Sequence, residues 1–401
     1  MTAFLSQPQM SANPIFNPGG DDAIENRSIW FGNTTNLMQL NDVRYSWATG
    51  LYQQMRENFW IPQKLDLTQD VTDYWNLTKE ERRAYDGILS YLTFLDSVQT
   101  CNIPHIKSCV TAPEVSVCMA EQISQEGMHN QSYQYIIETV IPGDRRSSVY
   151  EFWRTDKVLA DRCQFIASIY QKYVDDPTPE NYFVSLLADY LLEGVYFYNG
   201  FIYFYNLASR MLMPGSADIF KMINRDELSH VRLYQKLLPE AMQLFPHSVE
   251  QIYEMFDTAV HHECRWTNHI VGDSILGITA ASTEHYTKYM ANMRLRSIGL
   301  EPLYTDEQYK KSPYKHLERF SDTKKAGHTK ANFFEAGVTS YVMSSGVSGW
   351  DEIWAIALAD FEQVLLEDDA KRYYQLRSFL DVYTPAPLLV CLLPKSWSKY
   401  L

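Results

Sequence analysis

The sequence predicts an all-α fold, a single helical bundle running from about residue 40 to about residue 310. Three observations predict it. Apolar residues recur at helical spacing in segment after segment. Helix start and stop signals bracket those segments. No strand-like alternation, hairpin signal or βαβ rhythm interrupts the series.

Taken in order, residues 1–27 are rich in Ser, Pro, Asn and Gly and read as a flexible arm. Phe31-Gly-Asn33 reads as a turn. From Tyr45 to Phe59 the apolar residues keep helical spacing, and Pro62 ends the pattern. Thr78-Lys-Glu-Glu81 has the form of a capping box and opens a long helix to about Thr100. A helix at about 114–141 follows, closed by Pro142-Gly143. Others are expected at about 147–173, 179–211, 215–238, 247–273 and 277–298, the last stopped by Gly299 and Pro302. Residues 28–320 thus form one domain. Residues 321–352 are rich in Gly, Ser, Thr and Lys, have no period, and read as a flexible tail. Amphipathic spacing returns at Asp351–Tyr374, so the extension 353–401 is expected to be partly helical.

Composition narrows the function classes. Of 401 residues, 46% are hydrophobic and 21% charged, which supports a buried core and not a disordered chain. The net charge of −14 argues against a nucleic-acid binder, which needs a basic surface, and against an anionic membrane surface. The six cysteines, Cys101, Cys109, Cys118, Cys163, Cys264 and Cys391, form no CxxC pair. They read as free thiols of a cytoplasmic protein. The N-terminus lacks the basic and apolar regions of a secretory signal. The most apolar stretch, Leu186 to Leu212, is interrupted by Asp189, Glu193 and Arg210. A membrane span rarely carries three ionisable groups, so a buried helix that uses its carboxylates fits better.

Two segments share a pattern, Glu126-Gly-Met-His129 and Glu227-Leu-Ser-His230. Residues i and i+3 lie on one helix face, so each pair can reach one metal ion. Asp96 and Glu193 sit in apolar helical surroundings, where an unpaired carboxylate needs a cation or a proton. Singly, each is as readily explained by a surface position or an Arg or Lys partner. Together the six complete a recipe for a dinuclear site: one carboxylate from each of two helices and an ExxH from each of two others. Hard oxygen donors with two imidazoles suit iron or manganese better than structural zinc. Tyr133 projects from nearly the same face as Glu126. Phe197, Phe201 and Ile223 lie one or two turns from ligand positions. Spacing alone leaves Tyr133 as one core tyrosine among 28.

The sequence resembles the small, radical-generating subunit of class I ribonucleotide reductase over roughly residues 30–345. The resemblance rests on Asn58-Phe-Trp-Ile-Pro62, Phe94-Leu-Asp-Ser-Val-Gln99, Gln125-Glu-Gly-Met-His-Asn-Gln-Ser-Tyr133, Leu192-Glu-Gly-Val-Tyr-Phe197, Arg225-Asp-Glu-Leu-Ser-His230 and Ile298-Gly-Leu-Glu-Pro302. It implies a ferritin-like bundle carrying a di-iron centre, with manganese as the other option. Asp96, Glu126 and His129 would hold one ion; Glu193, Glu227 and His230 would hold the other, with Glu126 and Glu227 bridging. Tyr133 would carry a tyrosyl radical in a pocket of Phe197, Phe201 and Ile223. Trp60 and Asp226 would move the oxidising equivalent outward, and Tyr341 would relay it to the large (alpha) subunit. The resemblance further implies a homodimer, and a flavodoxin-like activator if manganese is used. The residues after about 352 depart from the family pattern. Two other readings remain at this point: a ferritin-like di-iron oxidase or hydroxylase with its own substrate, and an iron-storage or purely structural helical protein. No dinucleotide or P-loop glycine motif is present.

Overall fold

The computed structural model describes residues 10–317, 320 and 321. Eleven α-helices and no strand occur among them. In order they are α1 (Ser46–Glu57), α2 (Thr68–Asn76), α3 (Lys79–Lys107), α4 (Pro113–Val140), α5 (Gly143–Thr155), α6 (Lys157–Asp175), α7 (Pro179–Leu191), α8 (Tyr198–Ser209), α9 (Pro214–Leu244), α10 (Val249–Ile270) and α11 (Ala280–Ser297). The described residues belong to one compact unit. Tyr341, the remainder of the tail and the extension 353–401 lie outside the described residues, as do residues 1–9.

The centre is made by α3, α4, α9 and the α7–α8 pair. Helices α5, α6, α10 and α11 flank it. The starts follow local chemistry. Thr78 and Glu81 close a reciprocal capping box at α3. Thr178 and Ser248 cap α7 and α10, and Thr279 with Ser282 caps α11. Proline stands in the first turn of α4, α7 and α9, where its missing N–H costs nothing.

The structure differs from the sequence expectation in several places; one is α9, which runs past 238 and through Pro239 to Leu244. The segment expected as one helix over 147–173 is two, broken at Asp156. That side chain accepts from the N–H groups of Val158 and Leu159 and so restarts the helix as α6. The helix expected over 179–211 is interrupted by a π turn at Leu192–Tyr196. Helix α3 continues past Thr100 and through Pro104 to Lys107, because Ile103 and Ile106 are fully buried and hold the last turn. Helix α2 was not anticipated. It is short, and one of its roles is tertiary: the Asp70 carboxylate accepts from Gly215 N (2.9 Å), Ser216 N (2.6 Å) and Ser216 Oγ (2.5 Å), capping α9 from outside.

Within the expected N-terminal arm, Met10 is buried and Asn13 donates to the Val110 carbonyl. Arg27 is buried against Glu114 at 3.1 Å. The apolar stretch after Leu186 is buried on all sides, as α7, the π turn and α8. No helix among the described residues is long and apolar enough to cross a membrane.

Candidate metal centre

Four helical elements bring six side chains to one point. Asp96 comes from α3, Glu126 and His129 from α4, Glu193 from the π turn, and Glu227 and His230 from α9. All six are fully buried. They form two groups of possible ligand atoms, each within 4.8 Å of one another: Asp96, Glu126, His129 and Glu227, then Glu126, Glu193, Glu227 and His230. Glu126 and Glu227 belong to both groups.

The π turn is what aims Glu193. An extra residue in one helical turn rotates the side chains beyond it, and such bulges gather at functional sites. Gly194 makes room for Arg294 of α11: a Cβ there would meet its Nε at 2.9 Å. Arg294 Nε donates to the Gly194 carbonyl at 3.0 Å, holding the widened turn.

The donor atoms face inward. His129 Nδ1 lies 3.1 Å from Glu227 and 3.7 Å from both Asp96 and Glu126. His230 Nδ1 lies 2.8 Å from Glu227, 3.1 Å from Glu126 and 3.3 Å from Glu193. Both oxygens of Asp96, both of Glu126 and one of Glu227 have no hydrogen-bond partner despite complete burial. Orphaned buried oxygens are costly, and divalent cations would satisfy them. The residues present therefore fit a pair of metal ions.

Electrostatics agrees. Burial, then the charges of Glu126 and Glu227, drives the Asp96 carboxyl well above its ordinary range. Burial with Glu227 and Glu126 does the same to Glu193. Burial disfavours the charged imidazole at both histidines, yet the surrounding carboxylates raise His129 and His230 well above the usual value. The cluster without cations must hold protons, and two divalent ions would displace them.

Outside these six stand residues the sequence reading did not single out. Gln99 and Gln122 both donate to Glu193 Oε1, at 2.7 and 2.8 Å. Gln125 Oε1 lies 2.9 Å from His230 Nε2, and its amide donates to the Met55 carbonyl. Such partners fix the orientation of a ligand. Gln125 adjoins Glu126 and Gln122 stands one turn earlier on α4, so helical spacing held a signal for both.

Tyr133 is fully buried, and its hydroxyl has no hydrogen-bond partner. Burial, then the Asp96 charge, pushes its phenol well above the ordinary range. The ring against it is Phe220, with centroids 5.9 Å apart. Phe220 in turn stacks on Phe204 at 3.7 Å and meets Phe201 at 6.1 Å. Phe197 joins through Phe201. Phe197, Phe201 and Ile223 are buried. Sequence reasoning missed Phe220, although it stands two turns before Glu227 on α9.

Trp60 is buried, and its indole N–H donates to Asp226 Oδ2 at 2.8 Å. The same oxygen lies 3.5 Å from His129 Nε2. Trp60, Asp226 and His129 thus form a line from the cluster to a surface cleft of about 420 Å³, lined among others by Phe59, Trp60 and Gln131.

The family model described as ribonucleotide reductase, small chain, matches residues 37–313. The chain belongs to that family. Ribonucleoside-diphosphate reductase subunit beta of Treponema pallidum is 36% identical over 338 residues, covering 83% of this chain and 95% of that one. The subunit beta of Halalkalibacterium halodurans is 33% identical over 350 residues, covering 86% and 99%. Among solved structures, a ribonucleotide reductase R2 subunit from Clostridium botulinum superimposes with a TM-score of 0.75 at 41% identity, over 79% of this chain and 100% of that one. The dimanganese(II) NrdF of Streptococcus sanguinis shares the fold, with a TM-score of 0.63 at 20% identity over 72% of this chain and 99% of that one. The role is that of the reductase's small subunit, a component of an oxidoreductase. An independent oxidase or hydroxylase is not favoured. The fold is the ferritin-like helical bundle of this small chain.

Proposed function

We propose that Asp96, Glu126 and His129 hold one metal ion and Glu193, Glu227 and His230 a second, with Glu126 and Glu227 shared, and that the pair serves to oxidise Tyr133. The observation that carries this reading is the coincidence of two ligand groups sharing two carboxylates, three of whose four buried oxygens have no hydrogen-bond partner. Bound iron or manganese supplies the oxidising chemistry with dioxygen. Oxygen and imidazole donors suit either metal.

The chain's own residues do the rest. Tyr133 would give up an electron to that chemistry and its phenolic proton to the neighbouring Asp96 carboxylate, whose charge bears on the phenol. Phe220, Phe201, Phe204, Phe197 and Ile223 keep that side of the site dry, so water and reductants do not reach the radical. The same burial keeps Tyr133 from any substrate, so the oxidising equivalent leaves through Trp60 and Asp226. Tyr341 continues the relay to the large (alpha) subunit, where ribonucleotides are reduced to deoxyribonucleotides. The subunit works as a homodimer in the cytoplasm, with a flavodoxin-like activator if manganese is used.

Metal titration tests the site. Wild type is expected to bind two ions per chain, and Glu193→Ala to lose one while retaining its helical circular dichroism. Unchanged metal content in Glu193→Ala removes Glu193 from the ligand set.

A further inference from the structure

Asp189 is fully buried on α7, one turn before the π turn, and the reading above gives it no task. Its partners are two phenols and an amide, with no cation among them. Tyr170 of α6 lies 2.6 Å from Oδ1, and Tyr234 of α9 lies 3.0 Å from Oδ2. Asn102 of α3 donates weakly to both oxygens, at 3.3 and 3.4 Å, and also meets Ser185 of α7.

Both phenols lead to the candidate metal centre. Tyr170 Oη is 2.7 Å from Gln99 Oε1, and Gln99 Nε2 donates to Glu193 Oε1. Tyr234 Oη is 3.4 Å from Gln122 Oε1, and Gln122 Nε2 donates to the same Glu193 oxygen. Two arms therefore run from the two oxygens of Asp189 to one oxygen of Glu193. Every residue in them is buried.

Counting protons decides the state of Asp189. The oxygens of Asp189, Tyr170 and Gln99 stand in a row with contacts of 2.6 and 2.7 Å. Two such contacts need two protons, and Tyr170 supplies one. Gln99 supplies none, because its amide N–H points at Glu193. Turning Gln99 over would set its carbonyl 2.7 Å from Glu193 Oε1, which already accepts from Gln122; a proton on Glu193 belongs on Oε2, the oxygen that faces His230 and the Glu227 side, so none would lie between the two oxygens. The missing proton belongs on Asp189. Its O–H donates to Tyr170, Tyr170 donates to Gln99, and Oδ2 is left to accept from Tyr234 and Asn102. An ionised Asp189 would take the Tyr170 proton and leave two oxygen lone pairs facing each other at 2.7 Å.

We propose that Asp189 is a buried neutral carboxylic acid that acts as a positioning residue, locking Gln99 and Gln122 so that Glu193 presents its other oxygen to the metal site. This rests on the reading of Glu193 as a ligand. Burial pushes the Asp189 carboxyl up to about 7, against the hydrogen bonds of Tyr170, Tyr234 and Asn102. A neutral acid also adds no further negative charge beside four carboxylates.

Infrared difference spectra of the full-length metal-free protein, wild type minus Asp189→Asn, test the protonation in mildly acidic buffer. A carbonyl band of a protonated carboxylic acid that shifts in D₂O is expected. Carboxylate bands in its place overturn the proposal. In Tyr170→Phe the band should not stay where it is, because the phenol that accepts the O–H is gone; an unshifted band also overturns the proposal. Metal titration tests the positioning. Asp189→Leu should weaken the ion on the Glu193 side by about 10- to 100-fold, the usual effect of losing a partner behind a ligand. Asp189→Asn keeps a donor toward Tyr170 and should restore most of that affinity. Equal damage from Asn and Leu contradicts the role. If wild type itself binds no metal pair, the site reading fails, while the infrared band still reports the state of Asp189.

Discussion

Phe220 offers the sharpest test of why Tyr133 is caged. The perturbation is Phe220→Ala. The ring is fully buried and meets three others: Tyr133 at 5.9 Å, Phe204 at 3.7 Å and Phe201 at 6.1 Å. Truncating a buried Phe costs ~3–5 kcal/mol, and each aromatic pair adds ~0.5–1.5 kcal/mol beyond area burial. With three ring partners, a value near the top of the first range is expected, about 5 kcal/mol. Thermal unfolding of the metal-free protein reads that loss. The functional effect is separate. The cavity opens beside the phenol, so a small reductant such as hydroxyurea should quench the Tyr133 radical at least about tenfold faster, a barrier change of about 1.4 kcal/mol. Phe220→Leu, which keeps most of the volume, should fold well and show an intermediate rate. A radical as long-lived in Phe220→Ala as in wild type, with the stability loss present, would refute the cage.

Further outcomes follow from the same geometry. Trp60→Phe removes the donor to Asp226 and should leave metal content and Tyr133 radical yield intact while abolishing turnover with the large subunit; retained turnover would take Trp60 out of the relay. Tyr341→Phe should behave likewise. Metal affinity should rise with pH. The raised Asp96 and Glu193 carboxyls and the raised imidazoles hold protons in the metal-free cluster, and these must leave as metal enters. Calorimetry in buffers of different ionisation enthalpy should detect that proton release; its absence would contradict the electrostatic picture. Asp70→Ala leaves two backbone N–H groups and a hydroxyl of α9 without their acceptor, and should cost about 2–3 kcal/mol in denaturant unfolding.

The helices were legible because their signals are local. The Thr78 capping box, the Pro142-Gly143 stop and the 3.6-residue period each act within a few residues. What failed was what the period cannot carry. Asp156 breaks a continuous amphipathic run by capping its second half, and the run looks the same either way. The π turn at Glu193 depends on Arg294, about a hundred residues later. Helix α2 is short and gains a role through Asp70 on α9, a long-range contact. At the candidate metal centre, the charged residues stood out because a carboxylate in an apolar helix demands a partner. Gln99, Gln122 and Gln125 did not, because a buried amide has many ordinary explanations and only the folded chain shows it pointing at Glu193 or His230. Phe220 was hidden among 19 Phe until its ring was seen against Tyr133.

Electron paramagnetic resonance tests the central claim most directly. Metal-free protein is loaded with Fe(II), exposed to oxygen, and compared with Tyr133→Phe treated identically. A tyrosyl doublet in wild type that vanishes in Tyr133→Phe, with two ions bound in both, is the predicted result. Two bound ions without a tyrosyl signal, or a signal that survives in Tyr133→Phe, would contradict it.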